Sequence, residues 1–218
     1  MPRTRITAGV HPHNARHYND EVEAKLRTLL ADPRVGSLGE IGLDYHYDLS
    51  PRETQREVFR RQIRLAKETG LPISLHIREA HDEALAILGE EGFPEAGTLL
   101  HCCSLGPEEI KPWIEAGCYI AFGGAITFGN AEAAREGAKL VPLDHVLTET
   151  DAPFMAPVPL RGTTCEPNQV AFTMAKFAEI RGETSLAKIA SMQRRIAENA
   201  NELLNRAPTP WQVENAAK

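Results

Sequence analysis

The 218-residue sequence is poor in cysteine and tryptophan, with 4 and 2 respectively, and it carries no excess of positive charge. Each shortage excludes something. Cys102, Cys103, Cys118 and Cys165 form no CxxC pair and no secreted disulfide spacing, which fits core thiols in a reducing cytoplasm and argues against structural zinc. Lys+Arg 24 against Asp+Glu 30 leaves a net charge of −6, which excludes a polybasic binder; contact with nucleic acid needs local bases or bound cations. The most apolar stretch, Cys118 to Phe128, is broken by Gly123 and Gly124 and falls well short of the roughly 18 residues of a membrane span. The opening MPRTRITAGV has no signal-peptide core. Gly39, Gly42, Gly123 and Gly124 fit neither a phosphate-loop spacing nor a dinucleotide fingerprint.

The remainder reads as an ordinary globular chain, 42% hydrophobic and 25% charged, with a length that predicts one large domain over residues 1–205 and a Pro-broken, loosely held tail over 206–218. Short apolar runs alternate with longer amphipathic ones, which predicts an α/β fold with a parallel sheet. The strands are expected over Arg5 to Val10, Val35 to Ile41, Pro72 to Ile77, Thr98 to Cys102, Cys118 to Phe122 and Val146 to Thr150. The clearest helix opens at Ser50-Pro51-Arg52-Glu53, where Ser50 is expected to cap and Glu53 to complete a capping box. Its row Arg52, Arg56, Arg60 and Arg64 is either a nucleic-acid contact or, as the favoured reading, a solvated face with Glu partners. The connection from Asp151 to Glu166 carries Pro153, Pro157 and Pro159, too long for a simple turn, and is a candidate functional loop.

Chemistry-bearing residues gather where strands end. His11 follows the first strand, Glu40 and Asp44 end the second, His76 the third, His101 the fourth and Asp151 the sixth, while the fifth ends in Gly123-Gly124, where backbone can approach a substrate. In a (β/α) barrel all of these ends meet at one mouth. Carboxylates and imidazoles gathered there suit Zn²⁺, Mn²⁺ or Fe²⁺, with Mg²⁺ at an oxygen-rich subsite. The chemistry of such a centre is hydrolysis, through a lowered water pKa and a polarised phosphoryl or carbonyl oxygen. Glu40 suits a bridging carboxylate, and Asp151 both a ligand and a general base. Glu149, expected to alternate with Asp151 on one strand, takes an orienting role. Pro12 is expected to turn the rings of His11 and His13 apart, with His11 facing the mouth and His13 left open. Arg78 and Arg161 each have two readings, a fork onto phosphate or carboxylate and a plain surface role.

The motifs GEIGLDY (Gly39 to Tyr45), His76-Ile77-Arg78, His101-Cys102, TETDAP (Thr148 to Pro153) and GVHPH (Gly9 to His13) make the chain similar to the TatD family of metal-dependent deoxyribonucleases, in order from about Ile6 to Asn205. The resemblance implies a TIM-type barrel with one or two Mg²⁺, Mn²⁺ or Zn²⁺ ions and 3′ to 5′ cleavage of DNA, single-stranded or at 3′ ends, with no obligate protein partner. It assigns Glu40 as the bridging carboxylate, His76 and His101 to one ion, Asp151 to the other, and His11 to a place near the substrate, where Arg78 and Arg161 are the further candidates. Two departures stand out. The family's first strand carries an HxH pair with no counterpart before Arg5, and only six βα units can be counted where a closed barrel needs eight, so a shortened start, a fragment or a gap filled by another chain is expected. The loop after TETDAP, usually close to PHRGKRNEP, reads Pro159-Leu160-Arg161-Gly162-Thr163-Thr164-Cys165-Glu166-Pro167, with fewer basic and amide groups. The alternatives are an amide or ester hydrolase on the same centre and a non-catalytic remnant.

Overall fold

The computed structural model describes residues 4–216, which divide into two compact units, one of residues 4–99 with 201–216 and one of Leu100–Ala200. Six strands alternate with helices among the described residues, as the sequence predicts.

In the first unit β1 (Ile6–Ala8), β2 (Val35–Asp44) and β3 (Ile73–Arg78) pair in parallel, with Ala8 beside Leu38 and Gly42 beside His76. Leu38, Ile41, Leu43, Ile73 and Leu75 are buried, so the near-continuous apolar runs reflect a sheet covered on both faces. β2 runs three residues beyond its expected end at Ile41, because Gly42 does not break the strand but permits close approach to β3. A Cβ at Gly42 would lie 2.2 Å from the His76 carbonyl oxygen. The β2–β3 register shifts between Gly39 and Ile41, leaving Glu40 without a partner on β3. A bulge of this kind re-aims one side chain and is common beside active sites.

The helices of this unit are α1 (Asp20–Leu30), α2 (Arg52–Thr69) and α3 (His81–Glu91). Val58, Phe59, Ile63 and Ala66 form the buried stripe of α2, as their spacing predicts. Ser50 does not cap this helix. Pro51 holds the cap position without a side-chain bond, because the buried Ser50 hydroxyl donates to the His13 carbonyl at 2.8 Å and accepts the Arg16 amide at 3.1 Å. The arginine row is the acid-paired face: Arg52 meets Asp48, Arg56 meets Glu53 and Glu83, and Arg60 and Arg64 meet Glu91.

Glu23 on α1 gathers Arg61, Arg27 and the Tyr18 hydroxyl within 2.7 to 3.1 Å. Burial alone would raise its carboxyl, but the bonds from Arg61, Tyr18 and Arg27 override burial and hold it below the usual value. A depressed carboxylate stabilises the fold above its unfolded pKa and loses that contribution as pH falls. Glu23→Gln is therefore expected to cost about 1–2 kcal/mol at pH 7. In urea melts the difference from the parent should shrink below about pH 4; a gap that persists in acid would exclude this charge network.

The tail departs from expectation. Residues Pro210–Asn215 form a short helix, α8, capped by the Thr209 hydroxyl, and the buried Gln212 amide donates to the carbonyls of Leu30 (2.9 Å) and Val35 (3.2 Å). Thr209 also donates to the Thr69 carbonyl at 2.8 Å. Pro210 suits the first position of a new helix, so a proline read as a breaker acts as a start.

Strand β4 (Thr98–Leu100) leads into the second unit, where the Cys103 amide donates to the Ala121 carbonyl at 2.9 Å. β5 (Tyr119–Phe122) and β6 (Val146–Thr148) pair in parallel there, with Ile120 beside Val146. Helices α4 (Pro107–Glu115), α5 (Glu132–Leu140), α6 (Val170–Ile180) and α7 (Leu186–Leu204) follow in order. The core holds Trp113, Phe122 and Phe177, and the buried Asn199 amide donates to the carbonyls of Leu143 and Val146 at 2.8 Å. The close approach expected at Gly123-Gly124 is made by the chain itself. A Cβ at Gly124 would lie 2.1 Å from the Met155 carbonyl oxygen, so this glycine admits the Pro-rich loop rather than a substrate.

Candidate metal centre

The end of β1 and the turn after it set the first part of the site. Gln62 on α2 clamps Val10, accepting its amide at 2.7 Å and donating to its carbonyl at 3.0 Å, which fixes the chain just before His11. His11 caps a 3₁₀ turn over Pro12–His17, and its Nδ1 accepts the His13 amide at 3.2 Å. That bond folds both rings to the same side. Their centroids lie 4.3 Å apart, and the His11 ring is also 4.3 Å from His76. The expectation that Pro12 parts the two rings is corrected: proline fixes the entry to the turn, and the turn brings the histidines together. His11, His13 and His76 each offer a ring nitrogen within 4.8 Å of the others.

Two carboxylates complete this cluster. Glu40 Oε2, from the β2 bulge, stands 3.9 Å from His11 Nε2 and 4.0 Å from His76 Nδ1. Asp44, at the end of β2 and wholly buried, receives His13 Nε2 and His76 Nε2 on Oδ2, each at 2.9 Å. Its Oδ1 accepts the amides of Tyr47 (2.8 Å) and His46 (3.1 Å). Burial would raise this carboxyl, but the Tyr47 amide with His76 and His13 outweighs burial and holds it down to about 2. Gln55 on α2 fixes its backbone, accepting the Asp44 amide at 2.8 Å. Asp44, read only as one of the ligand-type residues at strand ends, and His13, left open, are the members to which sequence reasoning assigned no specific role. The signal for Asp44 was its position at the end of an apolar run, and that for His13 was the HxH spacing. Arg78 lies with its guanidinium carbon 4.8 Å above the Tyr47 ring, which in turn stands edge-on to His13.

In the second unit His101 Nδ1 lies 3.4 Å from Glu149 Oε1, and the same carboxylate oxygen accepts the Cys102 amide. Glu149 thus touches His101, while the alternation with Asp151 expected of it does not hold. β6 ends at Thr148, and Asp151 has a left-handed backbone with φ 58°, so the period of two does not reach it. Arg161 stacks on Phe128 with its guanidinium carbon 3.9 Å from the ring centre. Burial pushes the Cys103 and Cys118 thiols up to about 12, so both are neutral thiols at neutral pH.

The donors present are imidazoles and carboxylates, a set that suits a divalent ion of borderline or hard character. The profile of the family described as TatD related DNase matches residues 1–205. The chain belongs to this family. Metal-dependent hydrolase YabD of Bacillus subtilis is 41% identical over 195 residues, covering 89% of this chain and 75% of that protein. The 3′-5′ ssDNA/RNA exonuclease TatD of Enterobacter lignolyticus is 36% identical over 182 residues, covering 81% of this chain and 70% of that one. Among solved structures, YjjV, a TatD homologue of Escherichia coli K12, superposes with a TM-score of 0.83 at 28% identity, over 93% of this chain and 77% of that chain. A TatD family protein of Entamoeba histolytica, 19% identical with a TM-score of 0.80, shares the fold. This TatD-family chain is therefore a metal-dependent hydrolase of the α/β, TIM-type fold class. None of its helices among the described residues is long and apolar enough to cross a membrane.

Proposed function

We propose that this chain, as one catalytic domain over residues 1–205, cleaves phosphodiester bonds of single-stranded DNA from the 3′ end. The observation that carries the reading is the approach of Glu40 to both His11 and His76, which gathers a carboxylate and two imidazoles at the ends of adjacent strands. It is supported by the relatives from Enterobacter lignolyticus and Cronobacter sakazakii, both named 3′-5′ ssDNA/RNA exonuclease TatD.

Glu40, His76, His101 and Asp151 hold the divalent ion or ions, Mg²⁺, Mn²⁺ or Zn²⁺. The bound ion supplies charge neutralisation for the phosphoryl oxygens and acidity for water. Asp151 accepts the proton of the attacking water as general base. Glu149 holds the His101 ring. His11 has its Nδ1 engaged by the His13 amide, so the neutral ring carries its proton on Nε2 and donates to a phosphate oxygen. Arg78 and Arg161 are the side chains that would contact phosphates of the substrate. The acidic net charge is compatible with a polyanionic substrate because bound cations provide the local positive field. The free cysteines fit a reducing, cytoplasmic setting.

The test is a 5′-labelled single-stranded oligonucleotide incubated with the purified chain and Mg²⁺, Mn²⁺ or Zn²⁺. A ladder shortened from the 3′ end, abolished by chelator and restored by added ion, is expected. Intact oligonucleotide under all three ions, alongside chelator-sensitive turnover of small esters, would replace the nuclease with the ester-hydrolase reading.

A further inference from the structure

We infer that Asp44 is the positioning residue of the centre: its Oδ2 fixes His76 and His13 in the Nε2–H tautomer and thereby turns the Nδ1 lone pair of His76 toward Glu40. The inference rests on the proposed role of His76 as a metal ligand, and it adds a residue to which none of the assigned roles belongs.

The argument is one of hydrogen-bond accounting. A carboxylate can only accept, and Asp44 is wholly buried with four donors converging on it. Its two oxygens divide the work. Oδ1 serves the backbone, taking the Tyr47 and His46 amides at 2.8 and 3.1 Å. Oδ2 serves the imidazoles alone, taking His13 Nε2 and His76 Nε2 at 2.9 Å. Each of these nitrogens must carry its proton to make that bond. In the neutral His76 ring the lone pair then falls on Nδ1, the atom 4.0 Å from Glu40 Oε2. A carboxylate that grips the far nitrogen of a ligating histidine sets both the tautomer and the ring angle, and raises the basicity of the nitrogen that faces the ion. His13 shares the grip and packs its ring 5.9 Å from that of His76, so it limits the ring's freedom to turn.

The split between the two oxygens makes the role separable from a merely structural one. Asparagine keeps one carbonyl oxygen for the Tyr47 and His46 amides, whereas its NH₂ group would face two imidazole N–H groups. Asp44→Asn therefore retains the turn and reverses the polarity offered to the histidines.

The experiment uses the full chain with ¹⁵N-labelled histidine, free of metal, at neutral pH. In the parent protein the imidazole ¹⁵N shifts of His76 and His13 should report protonated Nε2 and bare Nδ1. In Asp44→Asn the His76 signals should move toward the Nδ1–H form, and calorimetric titration with Mn²⁺ or Zn²⁺ should give an affinity about 10- to 100-fold weaker. A proton on Nδ1 of His76 in the parent overturns the proposal outright, with no variant needed. So does Asp44→Asn with unchanged tautomer and an affinity equal to the parent's. Titration of His76→Ala separates the two levels. Loss of binding there with unaffected Asp44→Asn defeats only the positioning role, whereas full binding by His76→Ala defeats the ligand assignment beneath it.

Discussion

Replacing Glu40 by glutamine is expected to lower kcat/KM for oligonucleotide cleavage by at least about 10³-fold, or roughly 4 kcal/mol of transition-state stabilisation. The fold should scarcely notice. The Glu40 side chain is 40% exposed and sits on a bulge outside the β2–β3 ladder, so the strand pairing does not depend on it. Glutamine keeps its shape and one acceptor, and a surface substitution of this kind shifts stability by no more than about 0.5 kcal/mol. What it removes is the negative charge that His11 Nε2 and His76 Nδ1 approach at 3.9 and 4.0 Å. Rates measured beside thermal melts separate the two effects. Turnover within tenfold of the parent would remove Glu40 from the centre; a large loss of melting temperature would assign it a structural role instead.

Gly42→Ala is expected to be the most damaging single methyl in the first unit. Two independent costs coincide at this position. The backbone lies at φ 140°, which L side chains rarely adopt, and the new Cβ would stand 2.2 Å from the His76 carbonyl oxygen and 2.8 Å from Ile77 Cδ1. A forced small-to-large change in packed surroundings costs about 1–3 kcal/mol. Adding about 1–3 kcal/mol for the backbone brings the expected loss to roughly 2–6 kcal/mol. The clash is with backbone, so relief requires β2 and β3 to separate between Glu40 and Asp44, where they carry the site. Activity should therefore fall together with stability. Chemical denaturation checks the first and the oligonucleotide assay the second. A variant within 0.5 kcal/mol of the parent, a surface-substitution margin, would show that the two strands can part without cost.

Much of the fold was readable because strand and helix periods differ and few residues contradict them. Val58, Phe59, Ile63 and Ala66 announce the buried stripe of α2, and the strand runs announce a two-sided sheet. The departures lie where a local habit is overridden. Ser50 is drawn from capping by a partner far along the chain, whereas Pro12 and Pro210 take their roles from the turn and the cap immediately around them. Ser50 serves His13, 37 residues away, and no local pattern encodes that bond. The site shows the same division. Glu40 and His76, which the first unit brings to within 4.0 Å of each other, stand out in the sequence as strand-end residues with ligand chemistry. Asp44 could not be ranked above other acidic groups, because its importance lies in four donors that only the folded backbone brings to it.

The docked segment beyond the last long helix bears on where this chain can be shortened. Gln212 supplies the amide that answers the carbonyls of Leu30 and Val35, on either side of the turn that feeds β2. Cutting after residue 205, where the family match stops, would strip that donor from buried oxygens beneath the strand bearing Glu40. A trimmed version meant to retain only the enzyme would thus loosen the floor under its own chemistry, and a purification handle belongs beyond Asn215 rather than in its place.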